Sequence, residues 1–167
     1  RIIDGSRIKK GAKLIGIESN GLHTNGYSLA RKVLFEEYDI GDYVDELGST
    51  LGEELLRIHT SYLELIQRIR AKEGMNGLAH ITGGGILGNL NRILPEQRSA
   101  KIDWNTWERP PVFNLIQELG NVPEEDMRKT FNLGIGLVAA VDQPEERQIR
   151  EEAQKLNLNT WTIGHIE

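Results

Sequence analysis

The chain has 167 residues, 38 % hydrophobic and 27 % charged with five prolines, which describes one ordinary globular domain and excludes a disordered tail or a fibre. Against 25 Asp and Glu stand 20 Lys and Arg, and the net charge of −5 argues against a broad nucleic-acid surface. With no cysteine, disulfides, thiolate catalysis and cysteine-ligated metals are excluded, and the longest apolar stretch, Leu137 to Val141, is far short of the ~20 residues of a membrane helix.

No signal-peptide pattern opens the chain, so no membrane partner and a cytoplasmic location are expected. Arg1 stands where an initiator methionine would, so the expectation is a piece of something longer. Charge is uneven: residues 1–13 hold Arg1, Arg7, Lys9, Lys10 and Lys13 against Asp4 alone, whereas Val33 to Leu56 carries eight acids and no base. Solvated faces account for both blocks.

Residues 12–19 set Leu14, Ile15 and Ile17 ahead of polar residues and predict a mostly buried strand that ends at Asn20-Gly21. From Tyr27, the residues Leu29, Ala30, Val33 and Leu34 recur at helical spacing, predicting an amphipathic helix over 27–37 entered through a turn at Gly26. The stripe Leu55, Leu56, His59, Tyr62, Leu63, Ile66 and Ile69 predicts a single helix over about 53–72, with Gly74 just beyond it. A short strand follows at 77–82, then three glycines and a helix over 86–94 stopped before Pro95. Residues 100–103 read as another short strand, and Pro110-Pro111 opens a helix closed by Gly120. Pro123 begins a further helix with Glu124, Glu125 and Asp126 in its first turn and Arg128 and Lys129 near its end, matching the helix dipole. Residues 133–141 read as a buried strand, 144–156 as a charged surface helix and 159–163 as a closing strand. The sum is one domain over 1–167, five strands interleaved with helices, without repeat or linker.

Two strand-to-helix junctions hold the candidate chemistry. The loop from Ser19 to Ser28 offers backbone N–H groups and a helix start to an anion, and Gly21 and Gly26 have Walker A spacing. Tyr27 and Ser28 stand where that motif needs Lys then Ser or Thr, so a P-loop is rejected; a polar turn with a cap is the plainer reading. At the second junction, Gly83, Gly84 and Gly85 are successive glycines, a costly run unless close approach or positive φ is required. Gly83, Gly85 and Gly88 also satisfy the dinucleotide fingerprint with Asp103 20 residues after Gly83, but the lead-in strand carries His80 and Thr82 and no second mononucleotide half follows. His80, at a strand's carboxyl end, is either an acid–base group or a buried structural residue. His59 reads as a core or boundary residue, and His165 is given no role. The four histidines show no i, i+4 pair, so no metal site is expected. Asn132 sits at the lip of a buried strand on which Gly134 and Gly136 leave room for a packed helix or a ligand's edge.

Taken together, GLHTNGYSLARK (21–32), GLAHITGGGILGNLNRILPE (77–96), WERPPVFNLIQELGNVPEEDMRKTFNLGIGLV (107–138) and WTIGHI (161–166) resemble the C-terminal domain of the phosphoribosylformylglycinamidine cyclo-ligases, or aminoimidazole ribonucleotide synthetases, of purine biosynthesis. Sister families of this architecture include selenophosphate synthetase and thiamine-monophosphate kinase. The resemblance implies a layered α/β (α+β) domain with a mixed sheet of about five or more strands, an N-terminal ATP-binding domain outside this chain, and a homodimer. It implies ATP and Mg as cofactors, held mostly by that other domain, and a small nucleotide substrate. It assigns His23 and His80 to acid–base or phosphoryl-stabilising roles, and Ser19, Asn20, Asn25, Gly26, Thr82, Gly83, Gly84, Gly85 and Asn132 to a substrate's phosphate. A departure lies at Ile58-His59-Thr60-Ser61-Tyr62, where many members read Pro-Thr-Arg-Ile-Tyr. A non-catalytic module that binds a phosphorylated metabolite is the reading from a different class.

Overall fold

The predicted buried strand at 133–141 is the spine of the molecule. A computed structural model describes residues 2–167, with elements in the order β1 (Lys13–Glu18), α1 (Tyr27–Leu34), β2 (Tyr43–Val44), β3 (Ser49–Thr50), α2 (Leu51–Leu55), α3 (Leu63–Ile69), β4 (Met75–His80), α4 (Gly85–Asn91), β5 (Ala100–Ile102), α5 (Pro111–Leu119), α6 (Glu124–Thr130), β6 (Ile135–Val141), α7 (Glu146–Gln154) and β7 (Thr160–Ile166). The main sheet has the order β4-β6-β1-β7-β5; β2 and β3 form a separate hairpin. All four pairings in the main sheet are antiparallel, so the layered α/β architecture is as expected while the sheet is not mixed.

Both faces of the sheet are covered, which is why β6 reads as a continuous apolar run. On one face Leu14, Ala79, Val138, Ala140 and Ile163 pack under Ile86 and Leu90 of α4. On the other, Ile15, Ile17, Leu137 and Ala139 meet Leu65 and Ile69 of α3 and Ile149 and Ala153 of α7. A third cluster gathers α1, α2, α5 and α6 around Phe113 and Phe131, whose rings lie 5.6 Å apart. Arg109 and Arg128 both bond Glu124 at the start of α6, and the Arg109 guanidinium holds that carboxyl at about 2.

The single helix expected over 53–72 is two helices, α2 and α3, separated by residues 56–62. Thr50 and Glu53 form a capping box that starts α2, with bonds of 2.9 and 3.2 Å. The break persists because its polar groups are claimed by the segment after β1. Asn20 Nδ2 donates to the Ile58 carbonyl at 2.6 Å, Arg57 donates to the Asn20 carbonyl, and the Tyr62 hydroxyl donates to the Glu18 carbonyl at 2.6 Å. A helical stripe would have buried Leu56 and Leu63; they are 78 % and 63 % exposed. The dinucleotide fingerprint also fails on topology, since β4 and β5, which carry its two ends, occupy opposite edges of an antiparallel sheet.

Gly85 marks where α4 crosses α6. At φ +65° its absent Cβ would overlap the Arg128 carbonyl oxygen, whereas Gly88 has open space around it. Gly85→Ala is therefore expected to destabilise the fold by about 2–4 kcal/mol. Gly88→Ala, gaining helix propensity at an unobstructed position, is expected to be neutral or stabilising by up to about 1 kcal/mol, both measured as shifts in the urea unfolding midpoint.

Candidate functional site

Because β6 runs antiparallel to both β1 and β4, those two strands run in the same direction, and their carboxyl ends flank the amino end of β6. Three segments converge there: 19–26 after β1, 81–84 after β4 and 131–134 before β6. Pairing continues past the strands, with the Ser19 N–H donating to Gly134 O at 2.8 Å and the Ile81 N–H to Gly136 O at 2.9 Å.

Asn132, 3 % exposed, pins the first loop. Its Oδ1 accepts from Ser19 Oγ at 2.7 Å and from the Gly134 N–H at 2.8 Å, while Nδ2 donates to the carbonyls of Gly21 and Leu22. Ser19 and Asn132 thus spend their side chains on each other and on the backbone. Gly26 is likewise a packing position: at φ +78° its missing Cβ leaves room for the Phe131 ring.

Asn89 of α4 does the same for the glycine loop, donating from Nδ2 to the carbonyls of Thr82, Gly83 and Gly85 and accepting from the Thr82 hydroxyl at 3.0 Å. The Gly85 N–H bonds Thr82 O and its Cα abuts α6, so Thr82 and Gly85 shape the loop from within. Gly83 and Gly84 are the exposed part. The two loops are joined where the Gly83 N–H donates to Asn25 Oδ1 at 3.1 Å. Beyond Gly84 opens a cleft of about 600 Å³, lined by Leu87, Gly88 and the Trp104–Arg128 stack, in which the guanidinium lies 4.2 Å from the ring centre.

Beside the loops stands a cluster of rings. His23 stacks on His59 with centroids 3.8 Å apart, and His59 Nε2 lies 3.2 Å from His80 Nε2. The Nδ1 of His59 faces the Thr60 carbonyl at 2.8 Å, which requires Nδ1–H and, in a neutral ring, assigns Nε2 as the acceptor. The proton between the two Nε2 atoms then belongs to His80, whose Nδ1 keeps its lone pair. Tyr62 closes the cluster at 6.2 Å from each of the three imidazoles. The space for this is Gly136: a Cβ there would overlap the Tyr62 hydroxyl and His23 Cε1, so the room at Gly136 is filled by side chains of this chain, neither by a helix nor by a ligand's edge. His23 is 4 % exposed, and burial, then the neighbouring imidazoles, pushes it down to about 4. Burial and His59 lower His80, and burial raises Tyr62. Asn20 approaches the cluster with its N–H 3.4 Å from His23 Nε2 and with Oδ1 buried and unpartnered.

Of the predicted residues, the fold brings together His23, His80, Asn20, Asn25, Gly83 and Gly84, while Ser19, Gly26, Thr82, Gly85 and Asn132 hold them in place. Sequence reasoning missed His59, Tyr62 and Asn89. The first two were absorbed into an apolar helical stripe, and the Thr60-Ser61 pair inside it was the signal of a break. His23, His59 and His80 offer ring nitrogens within 4.8 Å of one another, so the lack of i, i+4 spacing does not bear on a cluster assembled from three segments.

The family model described as AIR synthase related protein, C-terminal domain, matches residues 9–167. Curated proteins named phosphoribosylformylglycinamidine cyclo-ligase are similar along the whole chain. That of Carboxydothermus hydrogenoformans is 46 % identical over 168 residues, covering 99 % of this chain and 49 % of that protein. That of Pseudothermotoga lettingae is 43 % identical over 166 residues, again 99 % of this chain and 49 % of that protein. The chain spans about half the length of the curated relatives it matches. Among solved structures, thiamine-monophosphate kinase from Stenotrophomonas maltophilia K279a superposes with a TM-score of 0.65 at 19 % identity, over 98 % of this chain and 50 % of that one. The hydrogenase maturation protein HypE of E. coli gives 0.58 at 18 % identity, over 97 % and 45 %. Likeness at that identity shows the fold.

The titratable side chains facing His23 are His59, His80 and Tyr62. Unfolding releases His23 to its ordinary value of 6.5, so between that value and about 4 the unfolded chain binds a proton that the fold refuses. Stability is expected to fall as pH drops through this window, and His23→Asn is expected to flatten that part of the profile, read from urea midpoints at successive pH values.

Proposed function

The chain belongs to the AIR synthase related family, C-terminal domain, and on that premise we propose that it forms the C-terminal half of a phosphoribosylformylglycinamidine cyclo-ligase. The proposed reaction is the ATP-dependent ring closure of formylglycinamidine ribonucleotide to aminoimidazole ribonucleotide in purine biosynthesis. The formyl oxygen is activated by phosphorylation, the amidine nitrogen attacks the formyl carbon, and phosphate leaves.

The observation that carries the reading is the meeting of two unlike surfaces across the Gly83–Asn25 bond: exposed Gly83–Gly84 backbone on one side and imidazoles on the other. Ring closure releases an anion and a proton, and this edge offers a receiver for each. The His80 Nδ1 lone pair takes the amidine proton while its Nε2–H is shared with His59 Nε2, and the Thr60 carbonyl holds the far side of His59. His23, neutral near pH 7, packs against His59 and fixes its plane. The relatives' shared name supports this chemistry over the kinase reaction.

ATP and Mg belong, in this proposal, to the other half of the protein. Mg²⁺ favours hard, charged oxygen ligands, whereas the cleft beside the cluster offers imidazoles and neutral hydroxyls and no carboxylate. In the neighbouring cleft Glu124 is already taken by Arg109, Gln117 and Arg128, and Glu125 by Lys129, so neither cleft fits the metal. Leu56, Ile58 and Leu63, exposed near His59, are the surface proposed to meet the N-terminal domain. A cytoplasmic homodimer holding its nucleotide substrate between the two halves completes the proposal.

The test is turnover of formylglycinamidine ribonucleotide and Mg-ATP by the full-length protein, following ADP and aminoimidazole ribonucleotide together. Both products are expected from the full-length protein and neither from this chain alone; absence of the imidazole product from the full-length protein refutes the assignment. His80→Gln is expected to lower kcat about 100-fold with little change in KM. Gly84→Val, placing a branched side chain where φ is +101°, is expected chiefly to raise KM.

A further inference from the structure

His23, His59 and His80 come from three separate segments, and one nitrogen of each lies within 4.8 Å of the others. A tetrahedral ion with Zn–N bonds of ~2.0–2.1 Å places its ligand nitrogens about 3.3 Å apart. The His59–His80 pair, at 3.2 Å, already has that separation. The widest separation must contract by at most about 1.5 Å, a movement within reach of imidazoles turning about their side-chain torsions.

Three further features go beyond proximity. His59 donates Nδ1–H to the Thr60 carbonyl, the outer bond by which ligating imidazoles fix their tautomer and aim the other nitrogen. His23 has Nδ1 buried without a partner, and its Nε2 is engaged only by the Asn20 N–H at 3.4 Å, so a ring already desolvated retains unused coordination capacity. Burial grades from His23 through half-buried His59 to exposed His80, which borders an open cleft of about 510 Å³ shared with Thr60, Tyr62 and Leu63. The cluster therefore meets the cleft along its His59–His80 side, where an ion would enter and keep its fourth position.

We propose that His23, His59 and His80 form a binding site for one divalent transition-metal ion of the zinc or cobalt class, with its fourth position open to the cleft. Three neutral nitrogen donors without a carboxylate select against Mg²⁺ and Ca²⁺ and in favour of zinc, cobalt, nickel or copper. The ion keeps its full charge in such a ligand set, so an anionic oxygen or hydroxide is the preferred fourth ligand. Binding moves the His80 proton from Nε2 to Nδ1, so each ligating ring stays neutral and the Nδ1 lone pair is lost. Metal ligation thus competes with the proton transfer assigned above to His80, although the binding itself does not rest on that assignment.

The experiment titrates metal-free protein with Zn²⁺ near neutral pH, in millimolar Mg²⁺ and against a chromophoric chelator, and repeats it with Co²⁺ read by visible absorption. One equivalent of Zn²⁺ bound with micromolar or tighter affinity, and the intense bands of four-coordinate Co²⁺, are expected. His59→Ala and His80→Ala should each weaken binding at least ~10–100-fold, while His165→Ala, on β7 outside the cluster, should not. Zinc should raise the Tm of the wild type and not of the first two variants. If circular dichroism shows that His59→Ala does not fold, His80→Ala decides, since its ring lies at the exposed rim. No zinc uptake overturns the site; so does uptake undiminished in the variants, which would mean an adventitious ion only.

Discussion

The hydrogen-bonded pairing of β6 with β1 on one side and β4 on the other is the constraint from which the rest of the molecule follows. Sharing one antiparallel partner forces β1 and β4 to end on the same side, and backbone pairing runs on into the loops through Ser19–Gly134 and Ile81–Gly136. Neither loop chooses its own position. Each is then locked by one buried asparagine amide, Asn132 for 19–26 and Asn89 for 82–85, whose Nδ2 donors satisfy carbonyls that the turns would otherwise leave unpaired.

Glycine serves two purposes here. At Gly26, Gly85 and Gly136 it admits a neighbour: the Phe131 ring, the Arg128 carbonyl, and the Tyr62 hydroxyl with the His23 edge. At Gly83 and Gly84 it leaves backbone open at the surface. The distinction matters because a run of three glycines reads in sequence as one device for approaching a ligand, and in the fold its last member is a helix-packing contact.

The imidazole cluster is held by the same economy of space. With no side chain at residue 136, an imidazole sits within the wall of the sheet, and the low polarity there keeps His23 uncharged near neutral pH. An uncharged, desolvated ring is a poor place for a free positive charge.

By itself the sequence determined the layered class, most of the elements and the two strand-to-helix junctions, because hydrophobic periodicity and the Pro and Gly punctuation are local signals. Residues 12–19, 111–120 and 133–141 carry their strand or helix in their own pattern, His80 and the glycine run stand at the end of one strand, and His23 lies in the loop after another. What only the tertiary structure decided is non-local. The break between α2 and α3 exists because Asn20 and Glu18, roughly 40 residues earlier, bond its backbone and Tyr62, and no window of 15 residues contains that competition. The break is also what carries His59 off its helical stripe and into contact with His23 and His80. Which polar residues hold the loops was decided in the same way: Ser19 and Asn132 are separated by 113 positions, and only the strand order makes them partners.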